Sequence, residues 1–205
     1  MTSLDRPDVT LAASWAETIG EFHAAGEQHV HGAGLWEFDT LDVTEAGCRA
    51  VVEHLLAQAD HATVLSDDKV HCSYFWITEG VGADRQVVGF LALRHTLNAW
   101  LLEEGGHVGY AVRPSRRRQG HAARALELSL AASADLGIDR VLVTCDEDND
   151  GSRLTIERCG GVYEDSRNGK RRYWIDTSRK WSEPPASRVT DGSTGPRLGD
   201  SATHR

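Results

Sequence analysis

Residues 116–122 read Arg-Arg-Arg-Gln-Gly-His-Ala, and a helical pattern starts immediately afterwards. Pro114 closes the extended stretch before them, so the run lies where a strand hands over to a helix. The first turn of a helix carries backbone N–H groups without partners inside the helix, and the peptide dipoles add partial positive charge there. Gly120 has no side chain to keep an anion from that backbone, Ala122 keeps the next approach open, and Arg116, Arg117 and Arg118 add mobile positive charge. Together they can cradle a diphosphate. A solvated basic turn with a glycine at the helix start fits the same letters. The sequences G-x-G-x-x-G and G-x-x-x-x-G-K-[ST] are absent, which removes the nicotinamide dinucleotide and nucleoside triphosphate readings.

Hydrophobic periodicity supplies the elements around this turn. Leu11, Trp15, Ile19 and Phe22 recur at helical spacing over 11–25, with Gly26 as the stop. A second helix is predicted over 44–59, with Thr44 as its N-cap and Val51, Val52, Leu55 and Leu56 on the buried side. The period then changes. SYFWITE (73–79) and QVVGFLALR (86–94) are aromatic and β-branched and flank the turn residues GVGADR, which predicts a hairpin. GHVGYAVR (106–113) reads as a third strand. Over 119–136, Ala122, Leu126, Leu130 and Ala134 recur every four residues, and Gly137 stands where a glycine cap belongs. RVLVTC (140–145) is continuously apolar, as in a strand covered on both faces. A short helix over 150–159 and a last antiparallel pair around SRNG follow. A short first strand is expected near Val9. The reading is one mixed α/β domain over 1–180, with a Ser-, Pro- and Gly-rich tail over 181–205 expected to be disordered.

The net charge of −9 argues against nonspecific binding to nucleic acid or anionic membrane. It suits a cationic substrate and equally serves solubility. Cys48, Cys72, Cys145 and Cys159 are scattered without a C-x-x-C pair, so neither a zinc site nor a disulfide framework is expected. No basic-then-apolar leader and no membrane-length apolar run is present, which makes a cytoplasmic protein with reduced thiols the expectation.

Arg117-Arg118-Gln119-Gly120-His121-Ala122 matches Arg/Gln-x-x-Gly-x-Gly/Ala, and in this respect the chain resembles the GNAT N-acetyltransferases. The preceding GHVGYAVRP, the Ala- and Leu-rich helix, VLVTCDEDNDGS and the later Gly-Gly extend the resemblance over roughly 73–175. It implies the GNAT fold, a mixed twisted sheet whose central parallel strands splay apart between flanking helices. It also implies acetyl-coenzyme A (acetyl-CoA) as the acetyl donor. The diphosphate would then sit on Arg117, Arg118, Gln119, Gly120, His121 and Ala122. The pantetheine arm would pair with backbone at Tyr110, Ala111 and Val112. Asn149, with Ser152 one turn on, matches the asparagine that relatives use to hold the pantetheine; both residues also suit simple helix capping.

The reaction so implied is direct transfer to a primary amine, which needs a proton acceptor for the ammonium and an N–H donor for the developing oxyanion near Ala111 or Val112. His107 is the first candidate base, thirteen positions before Gly120, where many relatives carry glutamate; a structural strand-end histidine is the other reading. Glu103, Glu104, Asp146 and Asp148 are further candidates. Relatives use a tyrosine in the last helix to protonate the leaving thiolate, and Ile156 stands there instead, which leaves water or a substrate group for that step. Cys145 reads as a small buried residue rather than a nucleophile. His29 and His31 form H-x-H without a third ligand, so no metal is assigned and a substrate-lining or simply solvated loop is expected. Trp36, Phe38 and Tyr74 are expected as substrate-facing walls, and Trp76 as core. Glu104, Asp146 and Asp148 with Trp36 would receive a small cationic acceptor such as an aminoglycoside-type antibiotic, which would make the protein a resistance factor. A protein N-terminus or lysine as acceptor, or a noncatalytic acyl-CoA sensor, are the alternatives. The last two strands of such folds often support homodimers.

Overall fold

Thr44 starts its helix as expected, its Oγ1 accepting the Gly47 N–H at 3.3 Å. In this computed structural model, which describes residues 1–178, the chain runs β1 (Thr2–Asp5), α1 (Ala12–Ala24), α2 (Glu45–Ala59), β2 (Cys72–Glu79), β3 (Gln86–Arg94) and β4 (Val108–Val112). It continues through α3 (His121–Asp135), β5 (Arg140–Asp146), α4 (Asp150–Arg158), β6 (Val162–Arg167) and β7 (Lys170–Asp176). The expected tail over 181–205 lies outside the described residues.

Two expectations need correction. The first strand lies at Thr2–Asp5, not near Val9. Val9 begins a single 3-10 turn, because Asp8 caps it by accepting the Thr10 N–H at 2.9 Å. The stretch TSLD carries too little apolar periodicity to announce a strand; pairing with β2, Leu4 opposite Ile77, makes it one. The third strand begins at Val108, two residues later than expected, because Leu101–Gly105 forms a π-helical turn. Gly106 ends that turn at φ 64°, donating its N–H to Leu101 O at 2.7 Å. A side chain at Gly106 would meet Leu142 O at 2.6 Å, so only glycine fits both the conformation and the space.

All seven strands form one sheet in the order β1-β2-β3-β4-β5-β7-β6. Its neighbours are antiparallel except β4 and β5, which run parallel and pair only at Val108 and Val143. The two central strands therefore part beyond that point. Gly109, Tyr110 and Ala111 stay half-buried in mid-sheet, although Val108 and Val112 on either side are buried. The sheet separates two cores. Trp15, Ile19, Phe22, Val51, Leu55, Tyr74, Trp76 and Phe90 pack under α1 and α2. Leu91, Leu126, Leu130, Val141, Val143, Ile156 and Tyr173 pack under α3 and α4. Trp76 is core as expected, and Tyr74, 5% exposed, joins it rather than forming an open wall.

Candidate active site

The hand-over from β4 to α3 has the form the sequence suggests. Gly120 is the N-cap of α3 at φ 86°, makes no side-chain cap, and has open space where a Cβ would stand. The first-turn amides of α3 therefore have no side-chain acceptor, and a left-handed N-cap favours glycine. Arg118 precedes it at φ 64°, an uncommon conformation for a non-glycine residue.

The arginines around the turn do not all point outward. Arg113 donates to Glu21 at 2.6 Å, and Glu21 also takes the Ser115 N–H, which fastens the turn to α1. Arg116 pairs with Glu79. Arg117 forks onto Glu27 at 2.7 and 2.8 Å, and its Nε donates to Val112 O at 2.9 Å. Among the described residues Arg118 has no such partner and is exposed, so it is the guanidinium free to meet an anion. Gln119 Nε2 donates to Ser115 O. His121 departs from expectation in its side chain: it is buried and its Nδ1 lies 2.9 Å from Thr2 Oγ1, so only its backbone faces the turn.

A cavity of about 590 Å³ opens at the parted strands. Tyr110 on β4, Cys145 and Asp146 on β5, and Asn149 and Ser152 at the start of α4 line one wall. The loop after α1 lines the opposite wall with His29, His31 and Trp36. Asn149 caps α4, its Oδ1 accepting the Ser152 N–H at 2.9 Å. Ser152 Oγ lies 2.9 Å from Tyr110 Oη, so two hydroxyl groups meet at this wall. Burial is the main reason the Tyr110 phenol is pushed up to about 12, which keeps it protonated at neutral pH. Cys145 is buried, and desolvation raises its thiol, as suits a small packed side chain. Ile156 is fully buried under α4. Ala111 packs toward the α1–α2 core and Ala122 toward the α3–α4 core.

His107 is not placed to act as a base. It is 7% exposed, and its Nδ1 accepts the Leu142 N–H at 2.9 Å while its backbone N–H donates to Leu142 O at 2.7 Å. Burial first, then the nearby Arg94 guanidinium, push it down to about 4. It is neutral at pH 7, its lone pair is engaged, and it fastens β4 to β5 just before they part. The acidic residues also differ from expectation. Asp148 does not line the cavity, Asp146 is paired with Lys170, and Glu103 is paired with Arg167 at 2.7 Å. From the π-turn Glu104 lines the cavity, as Asp39 does from the opposite loop; Asn168 donates to Glu104 Oε1 at 3.1 Å, and Thr144 Oγ1 holds its carbonyl. Trp36 lines the cavity as expected and is 59% exposed; Trp100, 58% exposed, also lines it and has no periodicity in the sequence to mark it. Among the described residues no three His, Cys, Asp or Glu side chains stand where they could hold a metal ion, and no helix is long and apolar enough to cross a membrane.

A family profile described as an acetyltransferase (GNAT) domain matches residues 16–162. The chain belongs to the GNAT acetyltransferase family. It is accordingly an acyltransferase that takes its acetyl group from acetyl-CoA. No curated protein sequence matches it. Solved GNAT structures share its fold at low identity. RimJ of Mycobacterium smegmatis, in complex with CoA-disulfide, is 18% identical with a TM-score of 0.59, over 86% of this chain and 82% of that one. The microcin C7 self-immunity acetyltransferase MccE, in complex with acetyl-CoA and AMP, is 14% identical with a TM-score of 0.58, over 85% and 92%. RimL, a ribosomal L7/L12 alpha-N-protein acetyltransferase in complex with coenzyme A, is 16% identical with a TM-score of 0.58, over 85% and 93%.

Proposed function

We propose that this GNAT protein acetylates the primary amine of a small molecule held in the cavity between the 28–41 loop and the parted strands. Three features on the two parted strands carry this reading. They are the open amides of α3 at Gly120 after β4, the gap between β4 and β5, and a walled cavity lined from both strands and from Glu104. The residues present fit the cofactor: Arg118, Gly120 and the backbone of His121 and Ala122 suit the diphosphate, and Tyr110, Asn149 and Ser152 line the path of the arm. Bound there, the thioester supplies the activated acetyl group.

The chain's own residues supply the rest. Glu104 accepts the proton of the incoming ammonium, directly or through a water, in place of His107. Asn168 fixes its Oε1 and leaves Oε2 for that task. The Tyr110–Ser152 hydroxyl pair provides a proton at the thiolate end, which answers the absence of a tyrosine at Ile156. Asp146 is paired with Lys170 and Asp148 stays outside, so of the three acids expected to hold a polycation only Glu104 remains for that task. A protein N-terminus is a second reading, favoured by the exposure of Trp36 and Trp100 at the cavity and by the name RimL carries.

The test is release of free thiol from acetyl-CoA with polyamines, aminoglycosides, amino acids and peptides as acceptors. Turnover with a small amine, and its loss in Glu104→Gln, supports the reading. Turnover confined to peptides would move the function to the second reading, and cofactor binding without turnover on any amine would leave a sensor.

A further inference from the structure

Arg94 ends β3 and enters the acceptor cavity, and nothing in the GNAT match assigns it a role. Its Nη1 donates to the carbonyls of Gly105 and Gly106 at 3.1 and 3.2 Å, which anchors the guanidinium to the π-turn. Its Nε and Nη2 have no protein acceptor among the described residues, and neither is a buried orphan, so both keep hydrogen-bonding capacity on a side chain that lines the cavity. Among the described residues no carboxylate lies within salt-bridge reach of it, whereas the other fixed cation at the cavity, Lys170, is paired with Asp146. Gly109 keeps its face clear: a Cβ there would stand 3.6 Å from Nη1 and 3.8 Å from Nη2. A half-buried guanidinium fixed on one edge and vacant on the other is a receptor for a planar or tetrahedral oxyanion.

The same turn carries Glu104 two residues before Gly106. A carboxylate and a guanidinium without an acid partner thus meet at one short backbone segment that lines the cavity. We infer that the acceptor is a zwitterion, an amine that carries its own carboxylate or phosphate, with the amine at Glu104 and the anion on Arg94. This rests on the acetyl-transfer reading and narrows its substrate class.

The experiment compares matched acceptors on the full chain with acetyl-CoA: serine against serinamide for the carboxylate, and phosphoethanolamine against ethanolamine for the phosphate. The inference expects the anion-bearing member of at least one pair to have a kcat/KM about 10- to 100-fold higher, the range of one charge-assisted hydrogen-bonded contact. The pair that responds identifies the anion. Arg94→Gln should bring that ratio close to one chiefly by raising KM for the anionic member, and Arg94→Lys should restore part of it. Gly109→Ala, which covers the guanidinium without cutting its ties to the turn, should lower the same ratio. A ratio of one or less in both pairs, an equal fall of both members in Arg94→Gln, or cofactor binding with neither anionic acceptor turned over, overturns the inference. Failure of the acetyl-transfer reading itself looks different, because then no amine of any class, neutral or anionic, is acetylated, whether or not coenzyme A binds.

Discussion

Lowering the pH from 7 to 4 should weaken the fold through His107, and replacing that residue should cost stability more than chemistry. The side chain is nearly buried, its Nδ1 takes the Leu142 N–H at 2.9 Å, and it is pushed from an ordinary 6.5 to about 4. Between those values the unfolded chain binds a proton that the folded chain refuses. The contribution is therefore fully present above about pH 6.5 and declines as pH falls toward 4. A difference of this size is worth on the order of 3 kcal/mol across the window. His95 and His121 are also depressed by burial, so the total acid loss is larger than the share of His107. His107→Asn isolates that share, because the amide oxygen can accept the Leu142 N–H but does not titrate. Urea unfolding of both proteins at half-unit steps from pH 7 to 4 gives the difference. The expected result is a flatter stability profile for the variant by about 3 kcal/mol, with kcat at pH 7.5 changed by less than tenfold. Parallel profiles, or a loss of kcat of about 100-fold or more as a missing general base would give, would refute this assignment.

Three further outcomes follow from the site. Ser152→Ala removes the partner of the Tyr110 hydroxyl without touching the Asn149 cap, and should lower kcat by about 10- to 100-fold while coenzyme A affinity, read by calorimetry, stays within a few-fold. Glu27→Gln weakens the fork that ties Arg117 to the acceptor loop; its partly exposed ion pair is worth under about 1 kcal/mol, so the melting temperature should barely move. In that variant coenzyme A should bind at least as tightly, since Arg117 is released toward the diphosphate, and the acceptor KM should rise. Gly106→Ala forces a side chain against Leu142 O at φ 64°, and should destabilise the protein and reduce kcat together by disturbing the turn that carries Glu104.

Local chemistry made most of the fold legible. Thr44 and Gly120 start helices where their side chains, or the lack of one, predict, and the apolar run of β5 is buried on both faces, Val141 and Val143 in the α3–α4 core and Leu142 opposite. The open glycine turn before α3 could be read because a glycine, a helix start and basic residues occupy neighbouring positions. What the sequence hid is set by contacts between distant segments. The pairing of Thr2–Asp5 with β2 has no local pattern, and the π-turn over Leu101–Gly105 depends on ties to β3 and β5 through Arg94 and Thr144. Arg94 looks like the polar end of a strand until that turn brings it into the cavity. His107 misled because its titration suits a base, while its partner, Leu142, lies 35 residues on. The three glutamates that engage Arg113, Arg116 and Arg117 come from 37 or more residues away, so a run of free positive charge became largely a set of latches.

The claim on which the rest depends is that α3 opens onto a diphosphate site, and calorimetric titration of coenzyme A into the intact protein tests it most directly. One molecule per chain should bind, more weakly as salt rises, with Arg118→Ala shallower in its salt dependence and Gly120→Val, checked for folding by circular dichroism, at least about tenfold weaker. Absence of binding to the wild-type chain, or binding that neither substitution alters, would contradict the account.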